Sequence, residues 1–139
     1  MQSSSNLRVT EYARKLATDV YRATANFPIG ERFGLTAQMR RAAVSIGSNI
    51  AEGCGRAGDR ELAQFLQIAL GSASELEFQM MIASDLEFLT SQTAPSLLLD
   101  VSRVKKMLAR LIKAIRSNDG QTVRPSDRPT VRPSDRLTV

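Results

Sequence analysis

The side chains equipped for chemistry in this chain are few, and their arrangement points away from catalysis. Histidine is absent, so the commonest general base and the commonest neutral metal ligand are both missing. The lone cysteine, Cys54, sits in a glycine-rich stretch near Arg56, where a thiolate would be stabilised, but no partner base accompanies it. A small residue tolerated in a turn is the simpler reading. Gly53-Cys54-Gly55 is not a phosphate loop, because the lysine and hydroxyl of that motif are absent and no strand pattern precedes it. Glu75 and Glu77 are two residues apart, which sends them to different faces of a helix and argues against a paired-carboxylate site. The Glu-x-x-His motif of di-iron bundles cannot occur without histidine. The expectation is therefore no catalytic residue, no metal and no cofactor.

What remains is charge. The net charge is +5, and a basic chain invites a nucleic-acid partner. Arg40, Arg56, Arg103, Lys105, Lys106, Arg110 and Lys113 are the candidate phosphate contacts. Between residues 59 and 90, Asp59, Glu61, Glu75, Glu77, Asp85 and Glu87 face Arg60 alone, whereas from 91 to 117 the bases Arg103, Lys105, Lys106, Arg110, Lys113 and Arg116 face Asp100 alone. An acidic helix followed by a basic one can attract within a bundle or between subunits, which competes with offering the positive charge to a polyanion.

A second polar set is Arg41, Ser45, Ser48, Asn49 and Glu52, at i, i+4, i+7, i+8 and i+11. These form one strip along a helix. The structural reading pairs Arg41 with an acid of the third helix, Glu75, and has Asn49 and Glu52 tie down the following glycine-rich turn or cross a subunit boundary. The functional reading has Arg40, Arg41 and Arg56 join the basic groups of the fourth helix around a surface or ring pore that meets phosphates.

The elements that position these groups follow from apolar periodicity. Val9, Ala13, Leu16, Val20 and Ala23 mark a first helix that ends at Phe27, where Pro28 and Gly30 stop it. Residues 1 to 5 read as frayed, and Glu31 to Gly34 as a loop. Leu35, Met39, Ala42, Ile46 and Ile50 mark a second helix with Thr36 as its N-cap, closed by Gly53, Gly55 and Gly58. Asp59 is placed to cap a third helix, whose Leu62, Leu66, Ala69, Ala73, Leu76, Met80 and Ala83 alternate four and three. Beside that seam Phe65, Ile68, Leu70, Phe78, Met81, Ile82 and Phe88 add apolar faces, so this helix needs more than one neighbour. Gly71 in its middle suggests close approach by another helix. After Thr90 to Pro95, Leu97, Val101, Val104, Leu108, Leu111 and Ile115 give a fourth helix to about Arg116, with Lys113 and Arg116 in its last turn. TVRPSDRP at 122–129 repeats as TVRPSDRL at 130–137, with little to bury.

The fold expected is all-α: an antiparallel up-down-up-down four-helix bundle over residues 1–118, with a low-complexity, disordered tail over 119–139. Its core must be Leu, Ile, Val, Met and Ala, since tryptophan is absent. The single cysteine allows no internal disulfide, and no apolar run of about 18 residues is present to cross a bilayer. The N-terminal MQSSSNLRVTEYARK lacks the apolar core of a secretory signal, so the expected location is cytoplasmic.

Several of these stretches also carry a resemblance. Phe27-Pro28, Glu31-Arg32-Phe33-Gly34-Leu35-Thr36, Gln38 to Ile46, Ser48-Asn49-Ile50-Ala51-Glu52-Gly53 and Gly55-Arg56 resemble the signature of the bacterial four-helix-bundle family, the 23S ribosomal RNA intervening-sequence proteins. Ala69 to Glu77 resembles a second block of that family, and the likeness spans roughly residues 7–116. It departs at Gly47, where relatives often carry proline, and at Cys54, where a small hydroxyl residue is usual. The resemblance implies a bundle assembled into a homopentameric ring, no established catalysis, and an RNA or ribonucleoprotein partner. The leading expectation is a non-enzymatic nucleic-acid-associated factor; the alternative is a protein-binding scaffold whose charges, including Arg41, Ser45, Asn49, Glu52 and Glu75, serve assembly only.

Overall fold

The computed structural model describes residues 4–120. The chain forms α1 (Ser4–Thr24), a short 3-10 turn (Ile29–Glu31), α2 (Leu35–Cys54), α3 (Asp59–Asp85) and α4 (Thr93–Gly120). Each helix packs on its neighbours in sequence and α1 closes against α4, the arrangement of an up-down-up-down bundle. The expected repeat segment lies outside the described residues. Among the described residues no helix is long and apolar enough to cross a membrane.

The apolar seams meet in one core. All seven seam residues of α3 are at most 1% exposed, and Val9, Leu16, Met39, Ile46, Ile50, Val104 and Leu108 match them. Burying each Val, Leu, Ile or Met among them contributes about 1.5–3 kcal/mol. The flanking apolar residues of α3 divide. Phe65, Leu70 and Ile82 are half-buried, whereas Ile68, Phe78 and Met81 are 41%, 62% and 51% exposed.

The helix ends differ from the sequence expectation in instructive ways. α1 stops at Thr24, one turn before Phe27, yet Phe27 stays buried because its ring packs on Phe88 at 5.5 Å between centroids. Phe88 belongs to the α3–α4 connection rather than to α3, which ends at Asp85. Thr36 is not a cap: Leu35 opens α2, Gly34 flanks it, and Thr36 is buried inside the first turn. Asp59 is likewise the first residue of α3, preceded by Gly58, though with Glu61 it still complements the dipole. Gly58 takes φ 129°, a conformation that suits glycine. At α4 the hydroxyl of Thr90 accepts from the Thr93 amide at 3.0 Å. α4 continues to Gly120, past Arg116 and past the expected boundary at 118, so its last turn carries no base.

Polar ties cross the helix seams. Lys105 donates to Glu77 at 2.9 Å, joining the basic α4 to the acidic α3. Lys15 donates to Asp19 at 2.7 Å and to Asp100 of α4 at 3.4 Å. Its hydrogen bond to Asp19, then the charge of Asp100, hold the Lys15 ammonium above its ordinary pKa. Because the folded value is raised, that small contribution is complete at neutral pH and is lost only as pH climbs through the lysine range.

Two helical glycines separate packing from propensity. A Cβ on Gly53 would lie 2.8 Å from Phe65 Cβ and 3.1 Å from Leu62 Cδ1, while one on Gly47 would meet only Ala13 Cβ at 3.9 Å. Alanine improves helix propensity by up to about 1 kcal/mol at either site, but at Gly53 overpacking costs about 1–3 kcal/mol. Urea denaturation at fixed protein concentration should show Gly47→Ala stabilising and Gly53→Ala destabilising; equal shifts of one sign would contradict this packing of α2 on α3.

Candidate nucleic-acid interface

The seam of α4 determines which of its bases face outward. With Leu97, Val101, Val104, Leu108 and Ile115 buried, the opposite side carries Arg103, Lys106, Arg110 and Lys113, at steps of three, four and three, all exposed. At 1.5 Å per residue the four span about 15 Å. Arg103 comes within 3.9 Å of Asp100; Lys106, Arg110 and Lys113 have no ion pair among the described residues. Across the α1–α4 seam Arg8 joins Arg110 on a cleft of about 300 Å³ floored by Met107, Leu111 and Ala114. Arg8 was not among the sequence candidates. No spacing within α1 marks it, since its place depends on which helix α1 packs against.

Three other candidates are engaged within the chain. Lys105 is half-buried on Glu77. Arg56 donates to Glu52 at 2.7 Å and lies 5.3 Å over the Phe65 ring, so Glu52 is joined within the chain to a residue of the glycine-rich turn. Arg40 donates Nε to Thr24 Oγ1 at 2.8 Å and Nη2 to the Tyr21 carbonyl at 3.2 Å, with its guanidinium 4.6 Å from the centre of the Tyr21 ring. A cation there neutralises the negative end of α1 and adds a charged donor to the Tyr21 carbonyl, which also accepts from the Ala25 amide.

The polar strip of α2 is assembled differently from the sequence reading. Ser45 and Ser72 share a hydrogen bond at 2.9 Å across α2 and α3. Asn49 donates back to the Ser45 carbonyl at 2.8 Å and hydroxyl at 3.0 Å, not forward to the turn. The expected Arg41–Glu75 pair is not formed within the chain: Arg41 is exposed, and Glu75 accepts from Gln79 at 3.1 Å. Cys54 is half-buried. Among the described residues no cluster of carboxylates and thiols is arranged to hold a metal.

Arg40 thus separates from the α4 stripe in what its loss should do. Charged hydrogen bonds of this kind contribute about 1.5–3 kcal/mol, so Arg40→Gln should lower the unfolding free energy measured by urea denaturation, whereas Lys106→Gln, on the exposed stripe, should change it by under about 0.5 kcal/mol.

No curated protein matches the chain. A crystal structure of a protein of unknown function from the S23 ribosomal protein family of Bacteroides thetaiotaomicron VPI-5482 superposes with a TM-score of 0.71 at 25% identity, covering 78% of this chain and 98% of that one. A family model described as 23S rRNA-intervening sequence protein matches residues 5–110, from the first turn of α1 into α4. With the family match spanning most of the chain, the protein belongs to the 23S rRNA-intervening sequence protein family.

Proposed function

We propose that the protein is a non-enzymatic, cytoplasmic helical bundle that assembles with copies of itself, as a homopentamer, and serves as an RNA-associated or ribonucleoprotein accessory factor. The observation that carries the RNA part is the outward stripe of α4, where Lys106, Arg110 and Lys113 follow Arg103 with no carboxylate to neutralise them among the described residues. Bases spaced along one exposed helix face can each meet a phosphate, and a symmetric assembly multiplies them into a belt of charge. The ribosomal RNA in the family's description and the ribosomal family of the structural neighbour support the same partner class. Self-assembly draws its support from Ile68, Phe78 and Met81, large apolar side chains exposed along one helix.

A second reading is favoured by that same apolar exposure: a protein-binding scaffold whose charges serve assembly alone. Titration with labelled structured RNA at several salt concentrations separates the two. The RNA reading expects affinity to fall steeply with salt, and the triple variant Lys106→Gln, Arg110→Gln, Lys113→Gln to bind more weakly with a log–log slope flatter by about 2–3. Binding undetectable at low salt, or a triple variant indistinguishable from the parent, would leave the scaffold.

A further inference from the structure

Two opposite charges on neighbouring helices stand level with each other and do not pair. The Ser45–Ser72 hydrogen bond sets the antiparallel register of α2 on α3. Four residues back from Ser45 is Arg41, and the matching step forward from Ser72 reaches Leu76, next to Glu75. Both charged residues are exposed, and neither enters an ion pair among the described residues.

Glu75 is nonetheless held in place. Gln79, only 4% exposed, donates Nε2 to its carboxylate at 3.1 Å, while the Gln79 Oε1 is buried without a partner. A buried glutamine with an unsatisfied carbonyl works against folding, and an apolar residue there would avoid that cost. What the amide accomplishes is to fix an exposed carboxylate on the surface of α3. The same two helices also expose apolar side chains within two turns of these charges: Val44 on α2 is 44% exposed, and on α3 Ile68 is 41% and Phe78 62% exposed. An anion held rigidly within an apolar field, with a cation beside it, has the make-up of a protein interface rather than of a solvated helix face. A polyanion is disfavoured there by Glu75. With the cation on its α2 side and the anion on its α3 side, the face offers each sign to a different neighbouring copy of the chain.

We infer that the α2–α3 face is the contact between copies of this chain, with Arg41 of one copy paired to Glu75 of the next. The inference rests on the self-association proposed above and names the surface that would produce it. In a closed ring one copy's α2 flank meets the next copy's α3 flank, so the pair recurs at every junction.

Sedimentation equilibrium on the full chain and on Arg41→Glu, Glu75→Arg and the double charge swap tests it, with helicity by circular dichroism confirming that each variant folds. Each single variant should raise the dissociation constant on the order of 30-fold or more, and the double swap should restore assembly. Single variants that assemble like the parent would overturn the interface while leaving self-association standing. Dissociated single variants that the double swap fails to rescue would overturn the pairing. A parent chain that sediments as a monomer would overturn both the inference and the self-association on which it rests.

Discussion

The constraint on which the rest of the structure depends is the width of the apolar surface on α3. Its seam, from Leu62 to Ala83, is the longest in the chain and is wholly buried between α2 and α4. A helix that presented this seam alone would be satisfied by one bundle. α3 presents more, because Ile68, Phe78 and Met81 lie off the seam and stay in solvent. The bundle therefore satisfies α3 on one side and leaves an apolar remainder on the other. Water contact with that remainder is the driving force available for association.

The charges are distributed around the same helix. Where α3 meets α4, Glu77 takes up Lys105, so one base of α4 is spent on holding the bundle together. The bases a turn or more around α4 have no such partner and form the outward stripe. Where α3 meets α2, the link is made by hydroxyls, Ser45 to Ser72, and the charged groups Arg41 and Glu75 are left outside it. One helix thus has a neutralised seam toward α4 and an unneutralised, partly apolar face toward solvent. The basic surface and the apolar surface occupy different helices, so a polyanion and a second copy need not compete for the same ground.

Much of this was legible in the sequence, for a physical reason. A seven-residue apolar repeat depends only on residue spacing, so the four helices, their buried seams and the surplus apolar residues of α3 could be read directly. The caps could not. Thr36 and Asp59 have the right chemistry for an N-cap, but glycine precedes both helices, and α2 starts two residues and α3 one residue earlier than that hydroxyl and carboxylate suggest. The partners of long charged side chains were not legible either: Arg56 stood among the phosphate candidates, yet it pairs with Glu52 one turn away. Arg40 depends on the crossing of α1 and α2, Arg8 on the pairing of α1 with α4, and the Arg41–Glu75 expectation placed two level charges in a contact that the chain does not make. The family resemblance identified the fold and its relatives, and left the geometry of each side chain to the structure.

The most direct measurement of the central claim is the mass of the intact chain in solution at micromolar concentration, by light scattering coupled to size exclusion, beside a variant with Ile68→Ser and Phe78→Ser. The parent should run as a closed oligomer, and the variant, with the remainder of α3 made polar but its buried seam untouched, as a folded monomer. A monomeric parent, or a variant whose assembly is undiminished, would show that the outer face of α3 is not what draws copies of this protein together.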